Sequence, residues 1–314
     1  MLRVATRAAP RCAPWASVPS RRTLLTEATT ALASGLEAVH ASTGMPWWAV
    51  LAAATLASRA ALSAPLSTAM HLLTARAVNA AAEAKAGAQA TLIATAAACK
   101  RRGLPFEEFK AELARASAAA AKVAAAKHGA ASSLPLPGGR AVPLHVFLPW
   151  LQIPVWITAS LTIRSMAAFP ALGLATPDAP VAGFASGGTA WFGDLAAPDP
   201  LLLLPTAIVI LNLANLEFMA LSAPAEAKGA AKILTNVLRG LSIFSFPLLV
   251  SMPAGLTWYW ALSSGYGLAQ SATLRIPRVR RALGIPHTPM EDAPTVWSQR
   301  LAALRASKAS KSEP

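Results

Sequence analysis

One arginine lies inside a long apolar segment near the start of the chain. The segment runs from Met45 to Leu66, and Arg59 is its single charged residue. A charged side chain within a membrane-spanning helix costs about 2.5–3.5 kcal/mol on insertion scales, so such residues usually face a polar cavity or pathway. The first expectation is therefore a polar site inside a membrane, built around Arg59.

Other polar side chains lie at a similar depth in the later apolar segments. Depth is counted at ~1.5 Å per residue from the segment end on one common side of the membrane. It is about 10 Å for Arg59, 12 Å for Gln152, 13 Å for Asn212, 9 Å for Asn215 and 6 Å for Gln270. Glu217 lies near the same end of its segment. The opposite halves contain only small hydroxyl groups, which can bond to their own helix. The larger polar side chains therefore lie in one half of the membrane.

A groove that opens on one side of the membrane would explain this asymmetry, because a guanidinium and amides at mid-depth need water or partners. A second interpretation also fits the spacing. In that case Arg59 pairs with Glu217 or extends its charged end to the interface, while the amides hold neighbouring helices together. The spacing alone leaves both open.

Motifs for enzymatic chemistry are missing from the sequence. It has no HExxH, GxSxG, Walker lysine loop or CxxC, and its histidines show no spacing typical of metal ligands. Cys12 and Cys99 are too few and too far apart to indicate a metal site. We therefore expect no enzyme activity, no catalytic residue, no metal and no cofactor.

Composition and segment length predict an all-α integral membrane protein. The chain is 54% hydrophobic and 13% charged, with a mean hydropathy of +0.45, and a spanning helix needs about 20 residues. The segments that satisfy this length predict five spans, at about 45–66, 144–163, 201–221, 233–252 and 254–274. The last two are divided by a turn at Ser251 to Gly255.

A helical hairpin is predicted between the first two spans, over residues 68–128. Its first arm is rich in alanine, Gly103 to Pro105 interrupt it, and acidic residues follow in the first turn of the second arm. The second arm carries a heptad seam suited to an antiparallel partner: Phe106, Phe109, Leu113, Ala116, Ala120 and Val123.

Charge in the loops predicts the orientation of the chain. Residues 67–143 contain ten basic and four acidic residues and the tail from Arg275 contains eight and three, whereas the loop 164–200 contains one and three. Basic loops stay on the inner side of a membrane. The hairpin and the short basic tail, residues 287–314, are thus expected on the inner side. The total charge of +14 is spread over several segments without an RNA-binding motif, so no nucleic-acid partner is expected.

The N-terminus predicts which membrane this is. Residues 1–26 contain five arginines, no acidic residue and no apolar core, which is typical of an organellar transit peptide. A mitochondrial address is favoured, with a chloroplast address as the alternative. Under the mitochondrial reading, residues 27–44 lie in the intermembrane space, and the groove opens to the matrix.

The outer loop, Ala185 to Pro205, and the segments around it closely resemble the Oxa/YidC/Alb family of membrane insertases. The resemblance covers about Pro46 to Pro286, and the matching elements occur in the family's order: Trp47-Trp48, Arg59 with Pro65-Leu66, LQIPVW from Leu151, Arg164, GGTAWFGDLAAPDPLLLLP from Gly187, PAGLTWYW from Pro253, and Gln270 with LRIPRVRRALGIP from Leu274. Trp191, Phe192 and Asp194 lie in this loop, where the aromatic pair suits the membrane interface. Two of the motifs look most like the mitochondrial branch that assembles cytochrome c oxidase.

The resemblance implies insertion of hydrophobic client proteins from the matrix side without nucleotide hydrolysis. Arg59 would match the family's groove arginine and attract acidic client segments. The oxidase branch implies export of the C-terminal domain of oxidase subunit II. Relatives that bind ribosomes carry a long basic tail, whereas about 28 residues follow Pro286 here, so ribosome binding is not expected.

Two other functional classes remain open from the sequence. A small-solute transporter or channel subunit could use Arg59 to bind an anion, although no inverted repeat or pair of broken helices is evident. A structural assembly scaffold could use the polar residues only to hold its helices together.

Overall fold

The computed structural model describes residues 21–103, 105–130, 133–135, 141–143, 147–170, 177–222 and 229–312. Most of the predicted transit peptide, the first residues of the predicted second span and the segment 223–228 lie outside these ranges. In chain order, the helices are α1 (Arg21–Thr43), α2 (Trp47–Ser58), α3 (Ala64–Arg102), α4 (Phe106–Lys127), α5 (Gln152–Met166), α6 (Leu203–Leu221), α7 (Gly229–Phe244), α8 (Phe246–Val250), α9 (Ala254–Thr273), α10 (Pro277–Ala282), α11 (Pro289–Asp292) and α12 (Val296–Ser312).

The fold is mostly helical, and it includes one element that an all-α prediction omits. Strands β1 (Ser133–Pro135) and β2 (Ala141–Pro143) pair antiparallel, with Leu134 opposite Val142. The described residues also form two 3-10 turns, Leu148–Leu151 and Phe184–Ser186.

The first predicted span continues without a break into the first arm of the hairpin. A π-helical segment, Arg59–Ser63, joins α2 to α3, so that one helix runs from Trp47 to Arg102 over 56 residues. Pro65 explains the π-helical segment, because its ring would clash with the carbonyl four residues earlier and it has no N–H to donate. The widened turn just before Pro65 contains Arg59.

Helices α3 and α4 form an antiparallel hairpin around a left-handed Gly103 (φ 64°). At its base, Glu83 accepts a hydrogen bond from Lys127 Nζ at 2.8 Å and lies 2.7 Å from His128 Nε2. The ends of the predicted heptad seam are wrong: Phe106 and Val123 are 72% and 67% exposed, whereas Ala124 is buried. A straight helix of 3.6 residues per turn drifts from a heptad repeat, which moves the inner face to Ala124.

A hydrophobic core cluster, called the core cluster below, lies at the end of the bundle where α2, α6 and α9 begin and α5 ends. Trp47, Phe184 and Leu195 are at most 1% exposed there. Backbone bonds fix the outer loop to the helix starts, since Trp48 N donates to Gly187 O at 2.8 Å and Gly255 N donates to Leu195 O at 2.9 Å. The outer loop is thus part of the core.

Helix α1 packs against α5 and α2 at the same end. Leu36 belongs to the core cluster, Thr162 Oγ1 donates to Thr29 O at 3.4 Å, and the His40 ring stacks on Trp47 at 4.3 Å. The segment expected between the transit peptide and the first span is therefore a docked helix.

Three helical stretches of the described residues are long and apolar enough to cross a membrane: Trp47–Arg102, Leu203–Leu221 and Lys232–Val250. They include most of the first, third and fourth predicted spans. The remaining two predicted spans correspond to α5, with 15 residues, and α9, with 20. The count of five spans stays a prediction.

Replacing Gly188 with alanine is expected to destabilise the outer-loop core. A Cβ atom there would lie 1.8 Å from the carbonyl oxygen of Phe192, whereas a Cβ at Gly193 would meet nothing within 4 Å. Overpacking of this kind costs about 1–3 kcal/mol. Thermal unfolding of the purified protein in detergent should show a lower transition temperature for Gly188→Ala than for the control Gly193→Ala, and equal values would contradict the packing described.

Candidate functional site

A cavity of about 880 Å³ lies between α5 and the long helix that runs from Trp47 to Arg102. Leu32 and Leu36 of α1 and Tyr259 of α9 complete its wall. Most lining side chains are apolar, and Arg59 is the single charged residue among them. The polar lining residues are Thr55, Ser58, Arg59, Ser63, Gln152, Thr158 and Tyr259. We call this space the Arg59 cavity.

The Arg59 cavity adjoins the core cluster. Leu51 and Ile163 belong to both the cavity wall and the core. From these residues the wall continues along α2 and the π-helical segment to Leu66 of α3, and back along α5 to Leu151 in the 3-10 turn before it. Leu66 is the last residue of the first predicted span, whereas Leu151 lies within the second.

Arg59 has no carboxylate partner within the described ranges, where the six ion pairs involve other residues. Its side chain is half-buried in the cavity wall. A guanidinium carries five N–H donors and stays protonated in proteins. The cavity therefore presents a fixed positive charge and hydrogen-bond donors within mostly apolar walls.

Gln270 supports the segment that carries Arg59. Its Nε2 donates to the carbonyl oxygen of Ser63, the last residue of the π-helical segment, at 3.3 Å. This hydrogen bond ties α9 to the end of the π-helical segment. Gln270 thus lies beside the cavity, in contact with one of its lining residues.

Glu217 pairs with Arg239 and not with Arg59. Its two carboxylate oxygens accept hydrogen bonds from Arg239 Nε at 2.5 Å and Nη2 at 2.9 Å, and Arg239 Nη1 also donates to Asn236 at 2.6 Å. This pair joins α6 to α7. The alternative in which Glu217 neutralises Arg59 is therefore not the arrangement in this structure.

Asn212 and Asn215 also lie away from the Arg59 cavity. Asn212 Oδ1 accepts a hydrogen bond from Ser264 of α9 at 2.9 Å, which ties α6 to α9. Asn215 Oδ1 is buried, with no hydrogen-bond partner among the described residues. The groove set predicted from depth is thus divided, with Arg59 and Gln152 lining the cavity, Gln270 beside it, and three residues on α6 elsewhere.

The outer-loop residues take structural positions. Phe192 is buried at 1% exposure and packs against Trp258 at 5.3 Å, which differs from the interfacial position expected for it, because the loop folds into the core. Trp191 is 38% exposed. Asp194 Oδ1 accepts hydrogen bonds from the backbone N–H groups of Ala196 and Ala197 and so holds the turn.

Among the cavity residues that sequence reasoning missed, three come from outside the spans that contain Arg59 and Gln152. Leu32 and Leu36 belong to α1, which was expected to be a segment outside the membrane, and Tyr259 was considered only as part of a tryptophan-rich motif. The apolar spacing of the two leucines, four residues apart, was a usable signal for one packed helix face.

Comparison with known proteins shows two groups of mitochondrial relatives. The chain is 29% identical to the Homo sapiens "Cytochrome c oxidase assembly protein COX18, mitochondrial" over 272 residues, covering 85% of this chain and 76% of that protein. The Pongo abelii protein of the same name is 29% identical over 269 residues, with 85% and 76% covered. The Mus musculus "Mitochondrial inner membrane protein OXA1L" is 28% identical over 259 residues, covering 82% of this chain and 52% of that protein. No family model matches the chain.

Single cysteines at positions 59 and 152 are expected to react with a water-soluble maleimide in membranes. Both side chains line the cavity, and a wall with a guanidinium at mid-depth needs water. The background should carry Cys12→Ser and Cys99→Ser, and Val50→Cys is the matched control because Val50 is 1% exposed in the same first helix. If positions 59 and 152 are as unreactive as position 50, the cavity is not a water-filled groove.

Proposed function

We propose a function for this chain from one premise: it belongs to the Oxa/YidC/Alb family of membrane protein insertases, as a homologue of the COX18 and OXA1L proteins. It is an insertase of the mitochondrial inner membrane that acts in cytochrome c oxidase assembly. The observation that carries the mechanism is a guanidinium, unpaired among the described residues, in the wall of a mostly apolar cavity.

The Arg59 cavity receives the hydrophilic segment of a client. In the orientation predicted from loop charge, the cavity faces the matrix, and the core cluster separates it from the intermembrane space. A polar segment that enters the cavity has less hydrocarbon left to cross. Arg59 attracts acidic side chains and donates hydrogen bonds, and Gln152 replaces part of the lost hydration.

Apolar client segments leave along α5. This helix exposes large apolar side chains beside the cavity: Ile153, Val155, Trp156 and Ile157 are 38–48% exposed. Partition into lipid then drives the reaction, because Leu, Ile, Phe and Val each gain about 0.3–0.6 kcal/mol at the centre of a spanning helix. No nucleotide hydrolysis is required for this step.

The remaining polar residues hold the frame. The Asn212–Ser264 bond and the Glu217–Arg239 pair join α6 to its neighbours, and Gln270 supports the π-helical segment. We assign Arg59 and Gln152 to the client groove, and Gln270 to its positioning.

The client that fits the oxidase branch best is subunit II, whose C-terminal domain would be exported to the intermembrane space. This assignment is supported by the name of the COX18 relatives and by the motifs in the second span and outer loop. The chain would have its N-terminus in the intermembrane space and its C-terminus in the matrix.

The test replaces the depleted protein with Arg59 variants, labels mitochondrial translation products, and adds protease to mitoplasts. Arg59→Lys should keep most export of the subunit II C-terminal domain because the charge is retained, whereas Arg59→Glu should leave that domain protected in the matrix because it repels acidic segments. The control Arg115→Glu makes the same charge change on the exposed surface of α4.

Abundance of each variant distinguishes an insertase from a scaffold. If Arg59→Glu exports the domain as well as Arg59→Lys does, or if export falls only in proportion to the amount of protein, the proposed role of Arg59 is wrong. Normal export after complete depletion would overturn the oxidase assignment.

A further inference from the structure

A cluster of cations lies where the predicted matrix ends of α6 and α9 meet. Arg275 follows the last residue of the fifth predicted span. Its Nη1 donates to the carbonyl oxygen of Ser222 at 3.2 Å, and its guanidinium lies over the Phe218 ring at 5.2 Å. These two contacts hold a charged group at the boundary between the apolar spans and the matrix, the level of lipid phosphates.

Arg275 has neighbours of the same charge. Arg280 Nη1 donates to the carbonyl oxygen of Leu274, the residue before Arg275, at 3.4 Å. The charge of Arg280 acts on both His71 and Arg275. Partial burial, followed by the charge of Arg280, lowers the pKa of the Arg275 guanidinium. The local potential is positive.

Anionic partners within the described residues do not balance this charge. Glu291 is shared by Arg280, at 3.2 Å, and Arg281, at 2.5 Å. Burial raises the pKa of the Glu291 carboxyl, but the hydrogen bond from Arg281 and the charges of the two arginines lower this pKa by more. The carboxylate is therefore ionised, and Arg280 and Arg281 occupy its two oxygens. Arg275 forms no ion pair among the described residues.

The bond to Ser222 uses one of the five N–H donors of Arg275. It caps the C-terminus of α6, where a positive charge is favoured. None of its remaining donors bonds to another described residue, so they can form a forked pair of hydrogen bonds with a phosphate. Ile276, the next residue, is 48% exposed and apolar, as suits a surface covered by an acyl chain.

We propose that Arg275, with Arg280 behind it, binds the phosphate group of an anionic lipid in the matrix leaflet. Basic pockets between spanning helices on the matrix side suit such headgroups. The bound lipid would neutralise the cation cluster and brace the ends of α6 and α9 against α10. The inference rests on the predicted membrane orientation, and it does not require the insertase activity.

The experiment measures lipid selectivity of the purified full-length chain. The protein is reconstituted in phosphatidylcholine vesicles that contain traces of spin-labelled phosphatidylglycerol or spin-labelled phosphatidylcholine, and the motionally restricted fraction gives the relative association of the two lipids. Wild type should prefer phosphatidylglycerol, and Arg275→Gln should reduce this preference by roughly fivefold.

Two variants keep the test decisive. Arg278→Gln removes a charge from an exposed position of the same segment and should leave the preference for phosphatidylglycerol nearly unchanged. Arg275→Lys keeps the charge but cannot form the forked pair of hydrogen bonds, so its preference should lie between those of wild type and Arg275→Gln. If Arg275→Gln fails to fold, the comparison of Arg275→Lys with Arg278→Gln decides. Equal effects of the position 275 and 278 variants would overturn the proposal.

Addition of inorganic phosphate separates the two sources of a phosphate group. A lipid site should keep its preference when free phosphate replaces chloride at equal ionic strength. Loss of the preference under this exchange would show that the cluster binds free phosphate, and it would overturn the lipid assignment. Insertion of clients is not measured, so this result is independent of the proposed function.

Discussion

The architecture depends on the packing of the outer loop against the helix starts at one end of the bundle. Trp47 is central to it: the side chain is 1% exposed, its Nε1 donates to the carbonyl oxygen of Ala182 at 3.0 Å, and a Cβ atom at Gly187 would lie 2.6 Å from the Trp47 Cβ. This close approach joins the first span to the loop. The Arg59 cavity adjoins this packed end through Leu51 and Ile163.

The direction of Arg59 follows from a local backbone feature. Pro65 forces the helix to widen over Arg59–Ser63, and Gln270 donates to the carbonyl oxygen of Ser63 at the end of this segment. A charge that would be costly in lipid is thereby placed in the wall of a cavity. The same segment continues into the α3–α4 hairpin as one helix, so any tilt of the hairpin would be transmitted to the cavity wall.

Sequence reasoning could identify depth but not rotation about a helix axis. Arg59 and Gln152 were found by depth and both line the cavity, whereas Asn212 and Glu217 lie at comparable depth but face α9 and α7. Rotation is set by packing between distant segments, which no spacing rule contains. The docking of α1 was missed for the same reason, since its core contact through Leu36 depends on partners far along the chain.

The central claim is that a client segment occupies the Arg59 cavity during insertion, and site-specific photocrosslinking tests it most directly. A photoreactive residue at position 152, inside the cavity, is compared with one at Ile210, which is 59% exposed on α6 and outside the cavity lining. During synthesis of oxidase subunit II in isolated mitochondria, we expect crosslinks to the client from position 152 and few from position 210. Equal crosslinking at both positions, or none at position 152 while export proceeds, would contradict the account.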